Sequence, residues 1–351
     1  MDNNLQEKPH VRRKRYSGTH PKTFEEKYKE HNPDKYKDTI EKVISKGSTP
    51  AGMHISIMVN EILDVLNIKP GEKGLDATLG YGGHTRKMLN CLNGNGHVYG
   101  LDVDETEIAK TTNRLRNMGF SEDIFTSINT NFANIGEISK QYGPFDFVLA
   151  DLGVSSMQID NPKRGFSYKL EGVLDLRLNQ NKGVPAHEKL AMMTKDEIIG
   201  MLVENSNEPY AVEITNTILK WRKSRKNIDT TSKLKEVIEE SLSFLPDNKE
   251  KKDIIKKTCQ RVFQAIRIDI NSEFEVLDSF LYSLPDVVKE GGRVAILTFH
   301  SGEDRLVKKA FKEYLRQGIF TEISKDVIRP SAEECNRNPR ARSTKLRWAK
   351  K

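Results

Sequence analysis

The order of predicted strands and helices is the feature that most constrains the fold of this 351-residue chain. From Lys73 onward, KGLDATL, HVYGLDVD, IFTSINTNF and FDFVLADLG have the pattern of strands, and HTRKMLNCL and ETEIAKTTNRLRNMG have that of helices. Strands separated by helices of this length form βαβ units, in which a parallel sheet is covered on both faces. The pattern therefore predicts an α/β fold.

The alternation is interrupted between about residues 161 and 258. KLAMMTKDEIIGMLVEN and AVEITNTILKWRKSR have helical periodicity there, and the interval is too long for a loop. We therefore predict an inserted helical domain, 161–258, which divides the sheet domain into residues 51–160 and 259–351. Residues 1–50 are polar and basic and form a predicted N-terminal extension that ends before the helical pattern SIMVNEILDVLN.

The alternation returns after the insertion. SEFEVLDSFLYSLPDVVKEGG predicts a helix, RVAILTFHS a fifth strand and EDRLVKKAFKEYLRQ another helix. FTEISK and STKLRWA predict a closing pair of strands before the end of the chain.

The ends of the predicted strands carry chemically useful side chains. Asp76 and a glycine turn follow the first strand, Asp102 and Asp104 the second, Phe132 the third and Asp151 the fourth. Ligands of an open parallel sheet bind outside these carboxyl ends. An acid after the second strand accepts hydrogen bonds from ribose hydroxyls, and an aromatic ring after the third can lie against adenine.

The glycine turn LDATLGYGGHT favours a cofactor without phosphates, although a plain tight turn is the alternative for the glycines alone. GYGGH does not match the dinucleotide spacing G-x-G-x-x-G, and we expect no helix N-terminus to face a pyrophosphate. Asp76 and Asp151 would repel a pyrophosphate and attract an ammonium or sulfonium group. S-adenosylmethionine, with an adenosine, a sulfonium and an amino acid end, fits these conditions.

Charge is concentrated at the two ends of the chain. The formal net charge is +7; residues 328–351 contain eight Lys or Arg against two Glu, and residues 1–50 contain twelve against eight acids. Two basic ends favour a polyanionic partner, with solubilising tails as the alternative. No apolar run is long enough for a membrane span, and three scattered cysteines form no disulfide framework or metal cluster. These features predict a cytoplasmic protein without a metal site. We separately expect a monomer or a homodimer.

Six ordered blocks resemble those of the RsmH/MraW family: LDATLGYGGHT, DLGVSSMQIDNPKRGFSY, LDLRL, FQAIRIDINSE, LTFHSGEDRLVK and NPRARSTKLR. The resemblance covers about residues 53–348. It implies a Rossmann-like class I S-adenosylmethionine-dependent methyltransferase sheet with an inserted helical domain. It also implies methyl transfer to the exocyclic N4 of a cytosine in 16S ribosomal RNA, at position 1402 in the decoding centre. The implied partner is ribosomal RNA or the small ribosomal subunit.

The resemblance also implies a set of cofactor contacts. They are Gly82, Gly83, His84, Asp102, Phe132, Asp151 and Gln158. All but Gln158 occupy positions that the strand-end argument had already selected.

Three residues are candidates for the chemistry itself. The N4 amine is a weak nucleophile, so it needs positioning and a hydrogen-bond acceptor more than a strong base. Asp151 is the first candidate for the acceptor. Ser155 can contact the base or cap a loop, and His300 can act as a positioning partner or as a general base.

Seven basic residues are candidates for contact with RNA phosphates. They are Arg164, Arg267, Arg337, Arg340, Arg342, Lys345 and Arg347. Asp175 and Arg177, in LDLRL, are expected to pair with each other.

Several positions depart from the family pattern. Tyr81 stands where an arginine is usual, Gly302 where a leucine is usual, and the basic extension is not typical. These departures indicate a divergent member or a paralogue, which leaves two alternatives to the ribosomal RNA enzyme. One is an amino-methyltransferase that acts on a different RNA, and the other is a catalytically silent RNA-binding factor for ribosome assembly.

Overall fold

A computed structural model describes residues 56–351 of the chain. The predicted basic extension, residues 1–50, lies outside the described residues, and its role stays a prediction. Within residues 56–351, no helix is both long enough and apolar enough to cross a bilayer.

One sheet of seven strands organises the described part of the chain. The strands are β1 Lys73–Asp76, β2 His97–Asp102, β3 Phe125–Asn129, β4 Phe145–Asp151, β5 Val288–Thr298, β6 Glu322–Ile323 and β7 Lys345–Lys350. Their order is β3-β2-β1-β4-β5-β7-β6. Strands β1 to β5 are parallel, and β7 pairs antiparallel with β5 and β6. The strand order reverses between β1 and β4, where an open α/β sheet forms its ligand crevice.

Helices connect and cover these strands. They are α1 Val59–Leu66, α2 Gly83–Leu92, α3 Glu105–Asn117, α4 Ile135–Tyr142, α5 Ser156–Asp160, α6 Ala186–Met192, α7 Lys195–Ser206, α8 Ala211–Lys223, α9 Thr231–Ser241, α10 Lys249–Asn271, α11 Glu273–Val287, α12 Ser301–Arg316 and α13 Ala332–Arg337. Side chains cap several of them: Asp104 accepts from the N–H of Glu107 at the start of α3, and Asn248 accepts from that of Lys251 at the start of α10.

Apolar side chains bury both faces of the sheet. Leu75 and Ile296 project to one face, where Phe280 of α11 and Phe311 of α12 pack against them. Phe147 projects to the other face, in a cluster with side chains of α1, α2 and α3. The predicted α/β architecture, covered on both faces, is confirmed.

The region between β4 and β5 is helical, and it has a core of its own. Leu202, Ile218, Ile238 and Phe263, from four helices, share one buried cluster. Helix α10 continues through residue 258, the predicted end of the inserted domain, so the helix is not interrupted at that limit. The division into domains stays a prediction.

The start of β5 differs from the prediction. Residues 288–292 were expected to end the preceding helix, but they belong to β5, where Val288 pairs with Phe145 of β4. The helical prediction is wrong there because pairing with a strand far away in sequence outweighs local periodicity.

Candidate active site

Three acids lie at one edge of the sheet because their strands are parallel neighbours. Asp76 ends β1, Asp102 ends β2 and Asp151 ends β4. Backbone hydrogen bonds join the segments that follow β1 and β4 to the neighbouring strands, from the N–H of Leu79 to the carbonyl of Leu101 in β2 (2.7 Å) and from the N–H of Leu152 to that of Leu297 in β5 (3.1 Å). The structure therefore forms one crevice from segments that are far apart in sequence.

The glycine turn forms one wall of this crevice. The N–H of Gly80 donates to Asp102 Oδ2 at 2.9 Å, which joins the turn to the second strand end. Gly82 has φ +69°, and a Cβ atom at this position would lie 2.9 Å from Thr111 Cγ2. Both the backbone conformation and the close contact require glycine at position 82.

The turn also begins a helix. Helix α2 starts at Gly83, with Gly82 as its N-cap and no side-chain hydrogen bond on that cap. The helix starts within the glycine sequence itself, one residue before the predicted helix HTRKMLNCL, and the expectation that no helix N-terminus faces a pyrophosphate stays a prediction. The preference for a phosphate-free cofactor therefore depends on the nearby carboxylates rather than on an absent helix end.

Two threonines fix the acids at the ends of β1 and β4. Thr85 Oγ1 donates to Asp76 Oδ2 at 2.5 Å, and Thr78 Oγ1 accepts from the N–H of Asp151 at 2.7 Å. Burial raises the pKa of Asp76, and the Thr85 hydroxyl bond opposes that rise. Sequence reasoning missed both threonines, because their partners are defined only once the strands are aligned.

His84 and Asp151 meet in the crevice. His84 Nε2 lies 3.5 Å from Asp151 Oδ2, and the His84 side chain is 9% exposed. His84 Nε2 and Asp151 Oδ1 are buried and have no hydrogen-bond partner among the described residues. Buried polar atoms are almost always satisfied, so these atoms fit a ligand that brings its own polar groups. The acceptor oxygen of Asp151 suits the ammonium or sulfonium end of S-adenosylmethionine.

Asp102 has the environment expected of a ribose acceptor. Its Oδ1 accepts from the N–H of Asp104 and its Oδ2 from that of Gly80, each at 2.9 Å. Burial raises the pKa of Asp102 to about 6, and the two N–H bonds oppose this rise. Each oxygen has a second lone pair for a ribose hydroxyl.

The remaining predicted cofactor contacts lie beside these strand ends. Phe132 begins the 3₁₀ helix Phe132–Asn134 after β3, and its ring meets that of Phe280 edge-on at 5.4 Å. Gln158 and Ser155 form a reciprocal cap at the start of α5: Ser155 Oγ accepts from the N–H of Gln158 (3.2 Å), and Gln158 Oε1 from that of Ser155 (2.9 Å). Both side chains thus have a structural role on the loop that follows Asp151.

His300 lies after β5, next to the segment that follows Asp151. It caps α12, and its Nε2 is 3.2 Å from Glu303 Oε1. Glu273, His300 and Glu303 each place a ligand-type atom within 4.8 Å of the others. The guanidinium of Arg267, however, binds both oxygens of Glu273 at 2.8 Å. Because Arg267 already supplies the positive charge, we assign no metal to this cluster.

Four of the seven basic residues predicted to contact RNA are held in ion pairs that leave little of them exposed. The pairs are Arg164–Asp104 at 2.8 Å, Arg267–Glu273 at 2.8 Å, Arg347–Asp304 at 2.7 Å and Lys345–Asp304 at 2.9 Å. The basic side chains in these pairs are between 7% and 19% exposed.

The other three are more accessible. Arg337 is 67% exposed and pairs with Glu333, Arg340 is 36% exposed and pairs with Asp160, and Arg342 is exposed. Contact with RNA stays a prediction for all seven residues, and exposure favours these three.

Tyr81 joins the glycine turn to the segment after β4. Its hydroxyl contacts the sulfur of Met157 in α5, and the guanidinium carbon of Arg114 lies 4.9 Å from the centre of its ring. The sequence marked Tyr81 as unusual but did not identify either partner. Asp175 and Arg177 pair as expected, at 2.7 Å.

The chain matches the model of the MraW methylase family over residues 51–351. Ribosomal RNA small subunit methyltransferase H 1 of Lachnoclostridium phytofermentans is 66% identical, over 98% of this chain and 94% of that protein. Ribosomal RNA small subunit methyltransferase H 2 of Alkaliphilus metalliredigens is 58% identical, over 99% of each. Ribosomal RNA small subunit methyltransferase H of Clostridioides difficile is 35% identical, over 85% of this chain and 98% of its own. The solved structure of an rRNA methylase from Streptococcus thermophilus has a TM-score of 0.40 and 13% identity, over 85% of this chain and 98% of that chain.

The sheet and its crevice define an α/β protein with three carboxylates at the carboxyl ends of neighbouring parallel strands. The chain belongs to the MraW methylase family. Members of this family use S-adenosylmethionine, so the predicted family, fold class and cofactor are confirmed.

Proposed function

We propose that the protein transfers a methyl group from S-adenosylmethionine to the exocyclic N4 of a cytosine in small-subunit ribosomal RNA. The observation that most directly supports this proposal is the Asp151 carboxylate at the end of β4. Its Oδ1 is buried and has no hydrogen-bond partner among residues 56–351. The names of the relatives support ribosomal RNA of the small subunit as the substrate. The resemblance supports the cytosine N4 and its position in the decoding centre. The proposed place of action is the cytoplasm.

Asp151 has the central role in the proposed chemistry. The bound cofactor supplies an electrophilic methyl group on a sulfonium sulfur. Asp151 accepts a hydrogen bond from the N4 amine, which favours the developing positive charge on nitrogen, and it takes up the N4 proton that is released when the methyl group is transferred. His84 Nε2 lies 3.5 Å from Oδ2 of that carboxylate. Most of the acceleration then comes from proximity and electrostatics. The cytosine must leave its stack, at a cost of a few kcal/mol.

Cofactor binding is assigned to the other strand ends. Asp102 accepts the ribose hydroxyls, Phe132 lies against the adenine, and Gly82 and Gly83 allow the close approach of the backbone. Gln158 positions the loop after β4, as its capping bond with Ser155 supports.

Base and RNA contacts are assigned from position and exposure. His300 follows β5, next to β4 in the sheet, and acts as a positioning partner for the base. Arg337, Arg340 and Arg342 contact phosphates, because they are the more accessible of the seven basic candidates.

A second candidate function, methylation of a different RNA, has one observation in its favour. Alignments that cover 98% and 99% of this chain include most of residues 1–50, and those relatives have names numbered 1 or 2. The relative from Clostridioides difficile is aligned over 98% of its own length but only 85% of this chain, and its name carries no number. A subgroup with an added basic segment is suited to a changed RNA target.

Mass spectrometry of RNA from a deletion strain tests the proposal. We expect the methyl group at the decoding-centre cytosine to be lost on deletion, restored by the wild-type gene and not restored by Asp151→Asn. The variant is expected to lower the rate about 100-fold or more, since the negative charge of a preorganised acceptor is lost. Arg316→Gln, on an exposed ion pair with Glu313, is the matched control and should restore methylation.

Other outcomes separate the alternatives. Retention of that methyl with loss of one elsewhere would establish the second candidate. Unchanged methylation of all RNA, with defective assembly of the subunit, would establish a silent assembly factor.

A further inference from the structure

Arg164 joins the start of the helical region to the second strand end. It lies in the 3₁₀ helix Pro162–Arg164, and its Nη1 donates to Asp104 Oδ2 at 2.8 Å. Its Nη2 donates to the carbonyl oxygens of Arg177 (3.2 Å) and Leu178 (2.6 Å). The side chains of Arg164 and Asp104 are 11% and 10% exposed. The arginine thus ties three separate segments together with nearly all of its side chain removed from solvent.

Asp104 links Arg164 to Asp102, the proposed ribose acceptor. Its N–H donates to Asp102 Oδ1 at 2.9 Å. Its Oδ1 accepts from the N–H of Glu107 and caps α3, while its Oδ2 is the oxygen bound by Arg164. An unbroken series of hydrogen bonds therefore runs from Arg164 through Asp104 to Asp102.

An independent contact holds the same segments together. Asn179 Nδ2 donates to the carbonyl of Val103 at 3.1 Å, one residue after Asp102. The N–H of Leu178 donates to Asn271 Oδ1 at 2.7 Å, at the end of α10. The loop that accepts the Arg164 hydrogen bonds is thus fixed on its other side by the longest described helix.

We propose that Arg164 is a positioning residue for the cofactor, which orients Asp102 through Asp104 so that the helical region sets the affinity for S-adenosylmethionine. The proposal rests on the assignment of Asp102 to the ribose and adds a residue from outside the crevice. It gives Arg164 a role other than phosphate contact, for which its buried ion pair leaves little of the guanidinium available.

The charges around Asp102 make the proposal measurable. Among the described residues, Asp104 and Glu107 are the charged groups that oppose ionisation of Asp102, and burial opposes it more strongly. Arg164 compensates the charge of Asp104. Without Arg164, Asp102 retains its proton to higher pH, and a protonated carboxyl is a weaker acceptor for ribose hydroxyls. Without the charge of Asp104, ionisation becomes easier and the change is in the opposite direction.

The test is calorimetric binding of S-adenosylmethionine to the full chain from pH 5 to 8. For the wild type we expect affinity to fall as the pH drops through about 6, the pKa of Asp102. Arg164→Gln is expected to move the midpoint up by on the order of one pH unit, which alone weakens binding about twofold at pH 7, and the lost orientation of Asp102 weakens it further. Asp104→Asn, which keeps a helix-capping side chain, is expected to move the midpoint down.

Controls separate this proposal from the cofactor assignment. Arg316 is exposed at the end of α12, and the Arg316→Gln variant should bind S-adenosylmethionine like the wild type. Asp102→Asn should lose most of the affinity; if it does not, the assignment of Asp102 is wrong. If Asp102→Asn loses binding while Arg164→Gln and Asp104→Asn keep the wild-type midpoint, the positioning role is wrong. Arg164→Gln could fail to fold because Asp104 is left buried and unpaired. In that case the midpoint of Asp104→Asn alone tests the positioning role.

Discussion

Gly82 illustrates how strongly the crevice restricts single residues. Its φ of +69° disfavours any side chain, and its neighbour Thr111 cannot easily move, because Thr111 Oγ1 donates to the carbonyl of Gly80 at 2.6 Å. Gly94 has a similar φ of +77° but no atom within 4 Å of a Cβ position. A comparison of substitutions at the two glycines therefore distinguishes the effect of backbone strain from that of steric overlap.

We predict that Gly82→Ala destabilises the protein more than Gly94→Ala. Gly94→Ala should cost about 1 kcal/mol of unfolding free energy through strain alone. Gly82→Ala should cost about 1–3 kcal/mol more through overlap with Thr111 and should weaken S-adenosylmethionine binding. Urea unfolding and calorimetry measure both effects. Equal losses of stability in the two variants would mean that Thr111 moves aside freely.

At the scale of elements, helix starts contribute to the site. Helix α5 has only five residues, and the Ser155–Gln158 cap orders the loop that carries it away from Asp151. Helix α13 has a similar serine cap, in which Ser331 Oγ accepts from the N–H of Glu334 at 3.1 Å. The short helix after β4 therefore has a matched counterpart away from that strand.

We predict that Ser155 acts through its cap. Ser155→Ala should cost about 1 kcal/mol of stability and lower the methyl-transfer rate, whereas Ser155→Asn, which still caps, should retain most of the rate. Ser331→Ala should cost a similar amount of stability and leave the rate unchanged. Thermal unfolding and single-turnover assays measure these effects. If Ser155→Asn is as slow as Ser155→Ala, the hydroxyl itself takes part in the reaction.

At the scale of the whole molecule, exposed arginines near the C-terminus are expected to bind RNA electrostatically. We predict that Arg337→Gln, Arg340→Gln and Arg342→Gln together weaken RNA binding and reduce its dependence on salt. Each lost phosphate contact should lower the slope of log affinity against log salt by about 0.7 for single-stranded RNA or about 0.9 for a duplex. Filter binding at several salt concentrations measures this slope.

A control with the same change in net charge tests whether position matters. Lys110, Lys140 and Lys289 are exposed and lie in ion pairs on other parts of the sheet domain. Their triple replacement by glutamine should leave the slope nearly unchanged. If both triple variants lower the slope equally, overall charge rather than this segment attracts RNA.

The sequence by itself determined the sheet, the glycine turn and the acids at the strand ends. These features depend on periodicity of two or 3.6 residues and on special backbone conformations, which neighbouring residues encode. Asp76, Asp102 and Asp151 were predicted together because the carboxyl ends of parallel strands share one edge. The start of β5 was not, because it depends on a partner strand.

Only the tertiary structure decided which polar side chains meet. Thr78 and Asp151 are 73 residues apart in sequence, and Asp104 and Arg164 are 60 apart. A charged residue such as Arg164 has the same appearance in a sequence whether it is exposed to RNA or buried in an ion pair. Its burial depends on how the helical region packs against the second strand end, and that packing is a property of the whole fold.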